Sequence, residues 1–575
     1  MHKKSDPVQG FFNDGLAIGE VLHIDFSEKI RKIKGYSFSR IKYMIEDFKS
    51  CYAEHDKIVR KHGIKTEIEQ MIHLAVQHIT SDFRFYRDFK KNNFKKQMAL
   101  LQSYKLAFET SVKRHKGGLL DKIIAKGYKK EYEETLTTFY EKSLGYIERF
   151  ILNQVMKKHK KSYIITIENL RLEHLFDIPD NVLGIVFKRF DPQEEVDLRF
   201  TKIFDIPIVQ YDFESEETKV FALSSYDETI IVNPTKEYRL AFEKIYQETR
   251  HIDFKDYDLD HHKIKMYAQC ANKKNADYVA QNPFYEGLGI YQTEYDYLTF
   301  NMTFTQNHLE ERYIDILKPI KALNKEIIFS LPDIREDKDF HLPNNITLDL
   351  IDLENYPGLF MSQIEAIATA AKRYDKVGVA IPMIYEASEI DAWRHYICSA
   401  FEYNGGILPK IGIMLETDSM FEHIEDLENE DVDFVIIGFN DLFSDLHDID
   451  RYESVDIKKF KKYYYEELRD IHSYFLSMKI RHICMGNVLS NPEILHKLMK
   501  MGFREFSITK NNEMAAYEIL KTRQKNKGRY IGVLKQQIEL RDYRRAIFEA
   551  TGKKPPNRRL NPYRRKPKKD DENNK

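Results

Sequence analysis

The spacing of apolar residues changes character three times along this chain. Residues 10–30 contain GLAIGEVLHIDF, a short extended segment punctuated by glycine. From about Ser37 to Gln154 the apolar residues recur mostly three and four apart: Ile41, Ile45, Phe48 and Tyr52, then Phe94, Met98, Leu101 and Phe108, then Leu136, Phe139, Tyr140, Ile147 and Phe150. That spacing gathers them on one face of successive helices. Aromatic stripes of this kind read as interhelical core rather than as a cofactor box. Strand-like runs return at Tyr163–Ile167, Val182–Phe187, Ile206–Val209 and Ile230–Val232. The first extended segment is therefore expected to join them in one α/β unit, across an inserted helical bundle. Residues 236–262 read as a charged linker helix.

From Lys263 onward, short apolar runs alternate with helical stretches: KMYAQ, GLGIY, EIIF, VGVAI, IGIML, FVIIG, HICM and FSIT. Eight runs, most separated by a crossover long enough for a helix, predict a (β/α)8 barrel. A ninth candidate, Ile346–Ile351, is expected to be irregular. In such a barrel the functional face lies at the C-terminal ends of the strands. The stretch DFVIIGFNDLFSDLHDIDR delivers Asn440, Asp441 and Arg451 to one strand end, and the run before it ends on Glu416. Two carboxylates there could share one hard cation, with Arg451 facing a phosphate or carboxylate. A solvated or paired acid is the plain alternative for either strand end. The expected division is 1–36 with 156–235 as one α/β domain, 37–155 as the helical insertion, 236–262 as linker, 263–540 as barrel and 541–575 as tail.

With 575 residues, 42% of them hydrophobic, the chain can build two or three cores. Its 90 Lys and Arg against 91 Asp and Glu leave no global field to drive it onto nucleic acid or membrane. No run of about 18 apolar residues and no leader pattern is seen, so a cytoplasmic protein without a membrane span is expected. Cys51, Cys270, Cys398 and Cys484 lie far apart without a CxxC pair, which argues against a disulfide framework and a zinc cage. The neighbours His261 and His262 read as a surface turn rather than a metal site. Nine of the seventeen residues from Lys553 to Lys569 are Lys or Arg, interrupted by prolines. Such a tail cannot bury a core and is expected to be disordered. A solvated segment is preferred over a contact with RNA or anionic lipid.

Set in order, these motifs resemble enzyme I of the phosphoenolpyruvate-dependent sugar phosphotransferase system, within the wider PEP-utilising enzymes. GLAIGEV at Gly15 is similar to the family's SPGIAIGKA segment. VLGIVF and DIPIV resemble the strands around its phosphohistidine, and IIVNPT closes that domain. LGIYQTEYDYL resembles GLYRTEFLYM, VGVAIPMI the segment ending in FPMI, IGIMLET the GIMIEIP segment, and DFVIIGFNDL the DFFSIGTNDL segment. CMGNVLSNPEILHKLMKMGFREFSIT resembles the MCGE segment and the FSMS strand beyond it.

The resemblance implies an α/β fold with a swivelling phosphohistidine-like domain ahead of the barrel. It also implies Mg held by Glu416 and Asp441, substrate groups at Asn440 and Arg451, a homodimer built through the barrel, and a phosphocarrier-like partner docked on the helical insertion. The phosphoryl relay it implies needs charge neutralisation around a tri-anion, an in-line nucleophile and a proton donor for the enolate.

Much of that relay is missing here. Gln292 and Ser330 stand where the family has arginines, Arg335 and Glu336 replace a glycine pair, and a third arginine falls at about Leu348. Met485 occupies the catalytic cysteine's position, and a thioether has no proton to give. Asn487 replaces a neighbouring glutamate. The phosphohistidine position falls on Glu195 or Val196, and His174 lies too early to substitute. The expectation is a pseudoenzyme or regulator that keeps a pocket for Mg and a small carboxylate ligand. The alternatives are an active PEP-dependent phosphotransferase with a relocated histidine, or Mg-dependent chemistry on a keto-acid in the same barrel.

Overall fold

The computed structural model describes most of residues 10–26, 71–115, 119–190, 206–250, 264–296, 306–333, 357–447 and 457–520, with single positions 42 and 45. Seven strands form the first sheet: β1 (Gly10–Phe11), β2 (Leu16–His23), β3 (Tyr163–Leu170), β4 (Val182–Phe190), β5 (Ile208–Gln210), β6 (Val220–Ser224) and β7 (Thr229–Val232), in the order β1-β5-β4-β3-β2-β6-β7. β2 lies parallel to β3, with Leu22 opposite Ile165, so the early extended segment does join strands that follow the helical insertion. On its other side β2 pairs antiparallel with β6, Leu16 opposite Ser224. Sequence periodicity missed β6, because VFALS is short and follows the charged stretch ESEETK. The VFAL run was the available signal. β3 buries consecutive residues Ile164–Ile167, as a strand covered on both faces must.

Between β2 and β3 lie the helices Phe83–Lys90, Leu100–Arg114, Leu119–Ala125 and the 28-residue Lys129–Met156. Phe85, Phe89, Tyr104, Phe108, Phe139 and Ile147 form their shared core, so the described part of the aromatic stripes packs between helices. The long helix serves two cores, because Leu152 and Met156 near its end pack with Ile165 and Ile167 of β3. Ion pairs reinforce that junction. Arg171 reaches Glu141 at 2.9 Å and Glu148 at 3.0 Å, both on the long helix.

The eight runs predicted as barrel strands are β8 (Lys265–Cys270), β9 (Gly287–Tyr291), β10 (Glu326–Ser330), β11 (Val377–Ile381), β12 (Lys410–Leu415), β13 (Phe434–Gly438), β14 (Arg481–Met485) and β15 (Glu505–Ile508). They form a closed parallel barrel in chain order, β15 returning to β8. Side chains alternate, so one set faces the surrounding helices and the other fills the interior. Tyr267, Ile290, Ile328, Ala380, Met414, Ile436 and Ile483 make the middle interior layer. One layer lower, glycines at 378 and 412 admit the Phe434 ring: a Cβ on Gly412 would lie 2.4 Å from a ring carbon. The floor is ionic. Arg481 donates to both carboxylate oxygens of Glu326 at 2.6 and 2.9 Å, to Glu505 at 2.8 Å and to the Tyr267 hydroxyl at 2.8 Å.

Candidate functional site

Two residues beyond each member of the middle layer, toward the C-terminal ends of the strands, the next inward positions are Gln269, Gln292, Ser330, Pro382, Glu416, Gly438 and Met485. All of them line one cavity of about 90 Å³, together with Glu294, Asp333, Asn440, Asp441 and Gly486. The mouth of the barrel is thus set by strand alternation, and Ile290 and Met414 of the layer below contribute to its floor.

Glu416 follows β12 and is 5% exposed. Its direction depends on Gly438 at the end of β13. A Cβ there would sit 2.5 Å from Glu416 Oε1 and 2.6 Å from its Cγ, so the carboxylate lies across a place only glycine leaves open. The neighbouring Thr417 is fixed twice, donating to the Ile384 carbonyl at 2.6 Å and accepting from the Met420 N–H at 3.2 Å. Asp441 sits in the first turn of the helix Phe439–His447, where the helix dipole favours negative charge. Asn440 Oδ1 accepts the backbone N–H of Asn487 at 2.8 Å, tying the loop after β13 to the loop after β14. Gly486, at φ 142°, makes that approach possible: a side chain would be strained there and its Cβ would lie 2.9 Å from Phe439 Cβ. Met485 lies beside them, buried, with only a thioether to offer.

On the opposite side of the cavity, Gln292 and Ser330 both meet Glu294. The Gln292 amide donates to Glu294 Oε1 at 3.5 Å, and the Ser330 hydroxyl to Oε2 at 3.3 Å. Gln292 Oε1 is buried without a hydrogen bond to any described residue. Thr293 donates to the Ser330 carbonyl at 2.6 Å, which locks this corner. Behind it, fully buried Asp296 is ion-paired with Arg312 and accepts from the Tyr291 hydroxyl at 3.2 Å. Burial pushes the Asp296 carboxyl up to about 6, against the pull of Arg312 and Tyr291.

Sequence reasoning did not single out Glu294, Asp333 or Gln269. Counting in twos from the middle layer would have found Gln269, and Glu294 by one further step past Gln292. Arg451, Glu195, Val196, Leu348, Arg335 and Glu336 lie outside the described residues, as do His261, His262 and the basic tail. His174 is fully buried: its Nδ1 accepts the Arg171 N–H at 3.1 Å, its Nε2 meets Glu148 at 3.0 Å, and its ring stacks on Phe26 at 4.8 Å. Both nitrogens are engaged in holding the junction of sheet and long helix.

Glu416 and Asp441 offer hard oxygen donors to one cavity, and the cradle at Gly438 lets a carboxylate enter it, so the donor set fits a magnesium-type ion. Among the described residues no group of three or more His, Cys, Asp or Glu could cage an ion. A cation here would complete its shell with water or ligand oxygens.

Residues 247–525 match the family described as "PEP-utilising enzyme, PEP-binding domain". Over those residues the chain is similar to the PEP-utilising enzymes, with a diverged sequence. A phosphoenolpyruvate-protein phosphotransferase from Buchnera aphidicola subsp. Schizaphis graminum is 22% identical over 569 residues, covering 88% of this chain and 93% of that protein. The Staphylococcus carnosus protein of the same name is 25% identical, covering 51% of this chain and 54% of its own length. A multiphosphoryl transfer protein from Shigella flexneri is 29% identical, covering 34% of this chain and 24% of that protein. The enzyme I-like resemblance thus runs through most of the chain, and the family match falls on the barrel that holds the cavity. Among the described residues no helix is long and apolar enough to cross a membrane.

Proposed function

We propose that this PEP-utilising-type barrel has lost the relay from phosphoenolpyruvate to histidine and works as a binding or regulatory protein. Its pocket takes a divalent cation, Mg, together with a small carboxylate ligand. The observation that carries this reading is the identity of the inward layer: neutral Gln292 and Ser330, and aprotic Met485, share the cavity with Glu416 and Asp441. The cation would supply charge neutralisation for the ligand's carboxylate, held by Glu416 and Asp441. The side-chain amide N–H groups of Gln292 and Asn440 then offer neutral hydrogen bonds, which suit a carboxylate or carbonyl better than a phosphate tri-anion.

Each charged hydrogen bond lost to a phosphate costs roughly 1.5–3 kcal/mol, so losing several weakens phosphoenolpyruvate binding by orders of magnitude. The same reading makes the protein cytoplasmic, dimeric through the barrel, and a partner of a phosphocarrier-like protein through its helical insertion. The test is incubation with ³²P-phosphoenolpyruvate and Mg, with and without a histidine-containing carrier, followed by acid-labile phosphoprotein analysis. No phosphohistidine is expected. Stoichiometric label on a histidine that transfers to the carrier overturns the proposal in favour of an active phosphotransferase.

A further inference from the structure

The pocket contains one glycine whose need is spatial rather than conformational. Gly438 is the inward residue at the top of β13, directly above Ile436 in the alternation of that strand. Its φ lies outside the left-handed region, so the backbone there would accept alanine. What alanine would meet is a functional side chain. The three nearest atoms to its Cβ all belong to Glu416: Oε1 at 2.5 Å, Cγ at 2.6 Å and Cδ at 3.0 Å. Separations below 3.0 Å do not persist, and Glu416 has little freedom to yield, being 5% exposed on a chain fixed by Thr417. The methyl group and the carboxylate compete for one volume.

We infer that Gly438 is a positioning residue of the cation pocket: the missing side chain on β13 directs the Glu416 carboxylate, just beyond β12, across the barrel mouth toward the Asn440–Asp441 turn. This rests on the cation-binding reading above and adds to it the element that sets the geometry of the first carboxylate. Glycine and glutamate then behave as one unit, and their substitutions should not be additive. Glu416→Ala removes the Cγ, Cδ and Oε1 that an alanine methyl at 438 would strike. Gly438→Ala should therefore cost melting temperature in the wild type and much less in the Glu416→Ala background.

The experiment is Mn²⁺ titration of the full chain, with free ion counted by EPR, on the wild type, Glu416→Gln and Gly438→Ala, together with thermal melting and circular dichroism of these and of Glu416→Ala and the Gly438→Ala/Glu416→Ala double variant. Expected are one saturable Mn²⁺ in the wild type, its loss in Glu416→Gln, at least tenfold weaker binding in Gly438→Ala, and a melting loss from Gly438→Ala at least twice as large in the wild type as in the Glu416→Ala background. If Gly438→Ala does not fold, the double variant is expected to fold and to melt within about 3 °C of Glu416→Ala. Wild-type affinity in Gly438→Ala, or a Gly438→Ala melting loss as large in the Glu416→Ala background as in the wild type, overturns the positioning role while leaving the cation site standing. A wild type that takes up no Mn²⁺ overturns the cation reading itself, and the positioning inference with it.

Discussion

Arg481→Met is the substitution whose cost is best defined by the structure. The guanidinium closes the floor of the barrel with bonds to Glu326, Glu505 and Tyr267, all between 2.6 and 2.9 Å. It also lies over the Tyr267 ring at 5.4 Å and the Phe434 ring at 5.9 Å. Side-chain exposure is 18% for Arg481 and Glu326 and 13% for Glu505, so removing the cation leaves Glu326 with the Tyr267 hydroxyl and Glu505 with half-exposed Lys265 at 3.2 Å, both in a largely dry space. Breaking a buried pair costs about 3–5 kcal/mol, and residual solvent contact favours the lower end. About 3 kcal/mol in a unit of this size lowers its Tm by roughly 6–12 °C.

The acid dependence has a definite sign. Burial would raise the Glu326 carboxyl, but the Arg481 bonds and charge and the Tyr267 hydroxyl outweigh it and hold it below its usual value. A depressed acid contributes stability above its unfolded pKa of about 4.3 and loses it as pH falls through the folded value. The gap in Tm between wild type and Arg481→Met should therefore narrow below about pH 4. Adding Glu326→Leu and Glu505→Leu should recover much of the loss, because no buried carboxylate is then left without its cation, and Lys265, which loses Glu505 at 3.2 Å, is half exposed. Calorimetry across pH checks all three. A Tm for Arg481→Met within about 2 °C of wild type at pH 7, or a gap that widens in acid, refutes the assignment.

Three further outcomes follow from the same structure. Mg at a hundred times its dissociation constant should stabilise the folded protein by about 2.7 kcal/mol, read as a melting shift; the Glu416→Gln/Asp441→Asn double variant should lose that shift, and a parental response would make the carboxylates structural. Met485→Cys should form no pyruvate from phosphoenolpyruvate, because Gln292 and Ser330 remain and the missing groups act as one unit; measurable turnover from this change alone would mean the substrate site is intact. The last concerns His472 and His482, hydrogen-bonded at 2.8 Å, with His482 Nδ1 donating to the Ile480 carbonyl at 3.0 Å. Burial, then His482 and Arg504, push the His472 imidazole down to about 4. The unfolded chain takes up the proton first, so stability falls as pH drops from about 6.5 toward 4, by at most about 2 kcal/mol at pH 5. A His472→Asn variant should lose less than the wild type between pH 7 and pH 5 in urea unfolding, and an equal loss would count against the neutral pair.

What the sequence determined by itself was the alternation. Eight apolar runs at crossover spacing fix a parallel barrel, because strands buried on both faces must be apolar throughout and must return through helices. The same period of two carries Glu416 and Met485 to the open end, so those positions were legible in the chain alone. Legible too was the helical stripe from Leu136 to Phe150, whose spacing survives as one face of a single long helix. β6 was not legible, because a five-residue run acquires its meaning from the distant strand near the start of the chain with which it pairs.

The tertiary structure alone decided which neutral and acidic groups face each other across the barrel mouth. Glu294 becomes a pocket residue only when β9 and β10 lie side by side and bring Ser330 to it. Gly438 reads in the chain as an ordinary end to an apolar run. Its importance comes from a side chain on the adjacent strand, because register, which no local pattern encodes, places Leu415 beside Ile437 and sends Glu416 over the space that the next residue leaves open.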